Sequence, residues 1–131
     1  MNKVNRCGTR QLNIVIAEDD SALRKMYVHF LQRGAADVEI TCHLATDGQD
    51  ALHKYAGMIL NGEIDCLITD VQMPHKDGYA LAQLARSLCP SIPVVFLTGN
   101  VHDDRLRDEK QVLEKPNGLK GLAETVLRLI T

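Results

Sequence analysis

Two short apolar runs in this 131-residue chain end in carboxylates. Cys66-Leu67-Ile68 carries through Thr69 into Asp70, and Met73-Pro74 and Asp77-Gly78 then break any strand. Ile14-Val15-Ile16-Ala17 carries into Glu18, Asp19 and Asp20. Apolar runs of this length, bounded by turn residues, read as buried strands, and open α/β sheets bind ligands at the carboxyl ends of their strands. A lone Asp there would mean little. Two strands delivering carboxylates to one edge suggest a divalent cation with a nucleophilic or ligating Asp beside it. Two later strand ends add Thr98, followed by Gly99, and Lys115, followed by Pro116. Taken singly, such a threonine is a β-branched strand residue and such a lysine a solvated charge. Their fixed neighbours at successive strand ends make both candidates.

The elements that must carry these residues alternate. Leu12 to Ala17 reads as a strand. Asp20 or Ser21 caps a helix with Leu23, Met26, Tyr27, Phe30 and Leu31 at helical spacing, ended by Gly34. Val38 to Leu44 is a second strand. Asp47-Gly48 turns into a helix with Ala51, Leu52, Tyr55, Met58 and Ile59 on one face, closed by Asn61-Gly62. Cys66 to Thr69 is the third strand, and Gly78 to Cys89 the third helix, with Pro90 just beyond. Pro93 to Leu97 is a fourth strand. Val101 to Gln111 is charged, with Leu106 as its internal apolar anchor. Val112-Leu113 makes a short fifth strand, and Leu119, Leu122, Val126, Leu129 and Ile130 define a last helix. Strict β-α alternation with buried strands implies a parallel sheet covered on both faces.

Composition excludes several classes. The length fits one domain with a substantial core. A net charge of -2 argues against a nucleic-acid-binding surface. No apolar run approaches a membrane span and no signal-peptide core is present, so a cytoplasmic protein is expected. Cys7, Cys42, Cys66 and Cys89 stand far apart and read as reduced thiols. His29, His43, His53, His75 and His102 show no metal-ligand spacing and read as structural or surface residues. Residues 1–11 are polar and patternless and read as a flexible tail ahead of a domain over 12–131.

The acidic pair after strand 1, Asp-x-x-Met-Pro-x-x-Asp-Gly after strand 3, Thr-Gly after strand 4 and Lys-Pro after strand 5 together resemble the receiver domain of two-component response regulators. The resemblance covers Leu12 to Ile130. It implies a flavodoxin-like, doubly wound, five-stranded parallel sheet of order 2-1-3-4-5, in which strands 1 and 3 flank the switch point and bring the acidic pair to Asp70. It further implies that Asp70 is the phosphoacceptor, taking a phosphoryl group from a sensor histidine kinase or a histidine phosphotransfer protein, with Mg²⁺ as cofactor. A carboxylate is a feeble nucleophile that anionic phosphate repels, so a cation must neutralise the charge in flight. By the same resemblance Asp19 and Asp70 bind Mg²⁺ directly, helped by the backbone carbonyl of Gln72, while Glu18 acts mostly through water. Thr98 then hydrogen-bonds a phosphoryl oxygen, Lys115 pairs with the acceptor carboxylate and later the phosphoryl group, and Pro116 sets the approach of the loop. Asp20 is a helix cap, and Asp77-Gly78 a turn and helix start.

The expected function is a single-domain response regulator that signals through a downstream protein partner. It has self-catalysed phosphorylation and dephosphorylation only, and neither nucleic acid nor membrane as partner. Three departures bear on the output. Val112 stands where most receivers carry a Tyr or Phe that reports phosphorylation. The interval from Thr98 to Lys115 is short, so a shortened or irregular fourth helix is expected. The stretch from Asp19 to Asp70 is long. They leave an alternative, a degenerate receiver acting as a phosphate-independent scaffold. A haloacid-dehalogenase-type phosphatase would need an Asp where Gln72 stands, and a flavodoxin-like redox domain would need a phosphate loop where Glu18, Asp19 and Asp20 stand.

Overall fold

The computed structural model describes residues 4, 8–35, 37–115 and 117–130. Five strands form one parallel sheet in the order β2-β1-β3-β4-β5: β1 (Arg10–Ala17), β2 (Val38–Ala45), β3 (Cys66–Asp70), β4 (Val94–Thr98) and β5 (Val112–Glu114). Four α-helices connect and cover it: α1 (Ser21–Arg33), α2 (Gly48–Leu60), α3 (Gly78–Leu88) and α4 (Leu122–Ile130). The doubly wound sheet and its order are those expected. Every residue of β3 and β4 is buried, as strands covered on both faces must be.

Alternation along β1 divides the core. Leu12, Ile14 and Ile16 pack with Tyr27 and Leu31 of α1 and Leu122 and Val126 of α4. Val15 and Ala17 pack on the other face, with Ala51 and Ile59 of α2 and Leu81 and Ala85 of α3. Not every apolar position of the expected helix faces is covered, for Met26 and Leu84 are each 40% exposed. Asp20 caps α1 by accepting from the backbone N–H groups of Ala22 and Leu23, and Asp77 caps α3 by accepting from that of Ala80.

Two boundaries differ from the sequence reading by more than one residue. Strand β1 starts at Arg10, paired with Val38, because the ladder with β2 extends beyond the apolar run. Residues 1–3 and 5–7 of the expected tail, with Cys7, lie outside the described residues, as does Pro116. The last helix opens as a 3-10 segment, Asn117–Gly121, before α4. Between β4 and β5, as the short interval from Thr98 to Lys115 led us to expect, the connection contains one 3-10 turn, Asp104–Leu106, in place of a fourth full helix. Leu106 anchors that turn in the core, where Tyr79, Phe96 and Val112 surround the same cluster. The Arg105 guanidinium lies 4.0 Å from the centre of the Tyr79 ring, and a bidentate ion pair joins Arg86 of α3 to Glu109.

Candidate functional site

Strand register brings the site together. Ala17 pairs with Thr69, so the residues that follow, Glu18 and Asp70, leave the sheet side by side. Asp70 pairs with Leu97, and the Lys115 N–H donates to the Thr98 carbonyl at 2.8 Å. Four consecutive positions in the sheet, β1, β3, β4 and β5, thus deliver Glu18, Asp70, Thr98 and Lys115 to its carboxyl edge. The loop after β3 is fastened at two points. Its Lys76 carbonyl accepts from Gly48 N–H at 2.9 Å, and the Val71 carbonyl accepts from Gly78 N–H at 2.9 Å. Within it His75 adopts a left-handed φ of 64°.

Carboxylate oxygens of Glu18, Asp19 and Asp70 lie within 4.8 Å of one another. Glu18 and Asp70 are buried and Asp19 is exposed. Lys115 joins two of them, with Nζ 3.0 Å from Asp70 Oδ2 and 3.2 Å from Glu18 Oε1. Asp70 Oδ1 accepts from Val71 N–H at 2.8 Å. Burial pulls the Lys115 ammonium down, but the hydrogen bonds and charges of Asp70 and Glu18 outweigh it and hold its pKa above the ordinary lysine value. Lys115 is therefore a fixed cation. A hydrogen bond to Glu18, then partial burial and the Glu18 charge, raise the Asp19 carboxyl above its usual range.

A cavity of about 260 Å³ opens beside this cluster, lined by Asp70, Gln72, Thr98, Asn100 and Lys115 among others. The Thr98 hydroxyl accepts from Asn100 N–H at 3.0 Å. Val112 lies apart from the cavity, in the apolar cluster under β4. Of the residues singled out from sequence, Glu18, Asp19, Asp70 and Lys115 are in mutual reach, and Gln72 and Thr98 share the cavity wall with Asp70 and Lys115.

Two contacts were not anticipated. Tyr27, counted as a core residue of the first helix, donates its hydroxyl to Glu18 Oε1 at 2.6 Å, both groups being buried. Burial first, then the bond to Glu18, pushes that phenol far above its usual range, so the hydroxyl acts as a donor. Arg24 donates from Nη1 to the Glu18 carbonyl at 2.6 Å. The sequence signal was present only as a tyrosine among aliphatic neighbours and an arginine one turn into the helix.

The donor set fits a hard divalent cation. All three candidate side-chain ligands are carboxylates, and the one ammonium beside them pairs with two, leaving negative charge for a cation to neutralise. Among the described residues no other cluster of histidine, cysteine or acidic side chains has metal-binding spacing, and no helix is long and apolar enough to cross a membrane.

Residues 14–126 match the family model of the response regulator receiver domain. The chain is 36% identical over 123 residues to the sensor kinase CckA of Brucella abortus (strain 2308), covering 89% of this chain and 12% of that one. It is 30% identical over 123 residues to the response regulator receiver protein CpdR of the same organism, covering 89% of this chain and 95% of CpdR. The chain thus spans about an eighth of the length of the kinase it matches and nearly all of CpdR. Among solved structures, the receiver domain of the hybrid histidine kinase CckA superposes with a TM-score of 0.72 at 32% identity, covering 91% of this chain and 99% of that domain. A CheY in a CheX-CheY-BeF3-Mg+2 complex from Borrelia burgdorferi has a TM-score of 0.79 at 19% identity, over 98% of this chain and 96% of that one, a likeness of fold. With the match reaching all five strands and the carboxyl edge they build, this chain belongs to the response regulator receiver domain family.

Proposed function

We propose that this protein is a single-domain response regulator whose Asp70 accepts a phosphoryl group from a histidine kinase or histidine phosphotransfer protein, and which passes the signal on by binding a partner protein. One observation carries the reading. The Asp70 carboxylate is buried at the mouth of a cavity, paired with Lys115 at 3.0 Å and flanked by Glu18 and Asp19. In the transfer, the phosphorus–nitrogen bond of the donor histidine breaks as a phosphorus–oxygen bond forms on Asp70. Lys115, already an ammonium, stays beside the new aspartyl phosphate as a point charge, and the Thr98 hydroxyl on the cavity wall turns its proton from the Asn100 carbonyl, 3.3 Å away, to a phosphoryl oxygen. Asp19 and Asp70 would hold Mg²⁺ with the carbonyl of Gln72, and Glu18 would act through water. When bound, the ion supplies the neutralisation that lets an anionic donor approach three carboxylates.

The single-domain part of the reading is supported by the match to CpdR over nearly its whole length, and the kinase part by the match to CckA. With Val112 in place of the reporting aromatic, the signal leaves by another route than the usual threonine–aromatic coupling. Incubation with Mg²⁺ and acetyl phosphate, followed by intact-mass measurement, tests the proposal. A single phosphoryl adduct in the wild type, absent in Asp70→Asn and abolished by a chelator, is expected. The second reading, a phosphate-independent scaffold, is favoured by Val112 and the single 3-10 turn between β4 and β5. It would prevail if no adduct formed and beryllofluoride failed to bind.

A further inference from the structure

The Tyr27 ring fills a fully buried place on α1, a role phenylalanine would serve equally. Its hydroxyl needs a separate explanation, because a buried hydroxyl without a partner is costly. The partner is Glu18, and the bond, at 2.6 Å, has the short length typical of an O–H donor on a carboxylate. The oxygen that accepts it, Oε1, also accepts from Lys115 at 3.2 Å, and Lys115 continues to Asp70 at 3.0 Å. Oε2 of Glu18 accepts from Asp20 N–H at 3.2 Å. A line of four groups therefore runs from the core to the cavity: phenol, carboxylate, ammonium, carboxylate.

Geometry gives the hydroxyl something to do. Glu18 has one more rotatable bond than aspartate would have, and its carboxylate must be held in one plane to face both Lys115 and the Asp19 side of the cluster. Tyr27 approaches from the core and pins Oε1. Without that donor, Oε1 would keep only the ammonium as a side-chain partner. The carboxylate would turn towards Lys115 and draw it from Asp70.

We propose that Tyr27 is a positioning residue of the phosphoacceptor site: its hydroxyl fixes Glu18 so that the acidic cluster is set for a divalent cation and Lys115 remains shared with Asp70. The inference rests on the receiver reading above and adds to it a residue outside the carboxyl edge of the sheet. A purely structural role, satisfying a buried charge, would leave the hydroxyl indifferent to what binds in the cavity. The positioning role ties the two together.

The test is cation binding by wild type and Tyr27→Phe, read from the electron paramagnetic resonance signal of free Mn²⁺ with Mg²⁺ as competitor. The expected result is about tenfold weaker binding by the variant, the usual scale for losing a group that orients a metal ligand. Binding within twofold of wild type overturns the proposal and leaves the receiver reading standing. A wild type that binds neither ion and takes no phosphoryl group overturns both. Should Tyr27→Phe fail to fold, 3-fluorotyrosine incorporated into the wild type gives a second measurement. The three tyrosines yield three ¹⁹F resonances, assigned with Tyr55→Phe and Tyr79→Phe. The Tyr27 resonance is expected to shift on saturation with Mg²⁺. If it stays in place, the proposal is overturned.

Discussion

Gly78 sits against the main chain of Asp70 so closely that any Cβ on Gly78 would run into the Asp70 carbonyl oxygen. The first residue of α3 thus sets the height at which Asp70 leaves β3, and the Val71 carbonyl accepts the Gly78 N–H at 2.9 Å to lock the approach. Backbone cannot yield here as the end of a flexible side chain could. Gly78→Ala is expected to destabilise the fold by roughly 1–3 kcal/mol, the scale of overpacking, and to slow adduct formation on Asp70 at least tenfold. Urea unfolding and acetyl phosphate labelling measure the two effects. Wild-type values for both would show that the loop after β3 relaxes freely.

Lys115 is the one ammonium in contact with the carboxylate cluster among the described residues. Removing it should have effects of opposite sign. In Lys115→Met the cluster keeps its three carboxylates and loses its internal counter-charge, so affinity for Mn²⁺ or Mg²⁺ should rise, by up to about tenfold for one unit charge at this range in a partly solvated site. Without cation the variant should melt lower than wild type, since buried Glu18 loses a donor. Phosphoryl adduct on Asp70 should fall even at saturating Mg²⁺. Loss of cation binding in this variant would mean that Lys115 organises the ligands as well as balancing them.

The distance between sequence and structure has local causes. Strands β3 and β4 were legible because burial on both faces demands unbroken apolar runs, and the caps Asp20 and Asp77 because a short polar side chain before an apolar period has few other uses. The start of α4 was not. Leu119 and Leu122 are three residues apart, a spacing that a 3-10 turn satisfies as well as an α-helix does, so periodicity runs through Asn117–Gly121 without marking the change. Tyr27 was hidden for a related reason. A tyrosine at a helical core position fits the apolar period whether its hydroxyl meets water or a carboxylate, and only the three-dimensional placement of Glu18 decides. The charged segment between β4 and β5 announced its irregularity by offering Leu106 as its one internal apolar anchor, but its ion pairs to α3 and to the α3 cap depend on partners distant in sequence.

One of those pairs makes a prediction about acid. Glu109 receives two hydrogen bonds from Arg86, at 2.9 and 2.8 Å, which hold its carboxyl below the ordinary glutamate range despite partial burial. A carboxyl depressed in the folded state contributes stability above its unfolded pKa, about 4.5, and loses it as pH falls through the lower folded value. Both groups are partly exposed, so the contribution is limited to about 1 kcal/mol. Glu109→Gln should lower stability at pH 7 by that amount and converge with wild type once the pH lies below the folded pKa. A constant offset at all pH values would assign the loss to packing instead of charge.

Asp19 predicts the opposite slope. Its carboxyl is raised by the bond to Glu18, by partial burial and by the Glu18 charge. In the interval between its unfolded and folded pKa values the native state binds the extra proton, so this group's contribution falls as pH rises from about 3.8 through the raised value. At neutral pH, without a cation, ionised Asp19 therefore costs stability. Asp19→Asn should be the more stable protein in the presence of a chelator, by no more than about 1 kcal/mol because the side chain is exposed and screened. With Mg²⁺ the order should reverse, since ligand binding to the native state stabilises it in proportion to affinity and the variant has given up a ligand. A crossing of the two proteins between chelator and Mg²⁺ would identify Asp19 as a group kept for the ion at the expense of the empty fold. A variant less stable than wild type in chelator would show that the carboxylate earns its place structurally.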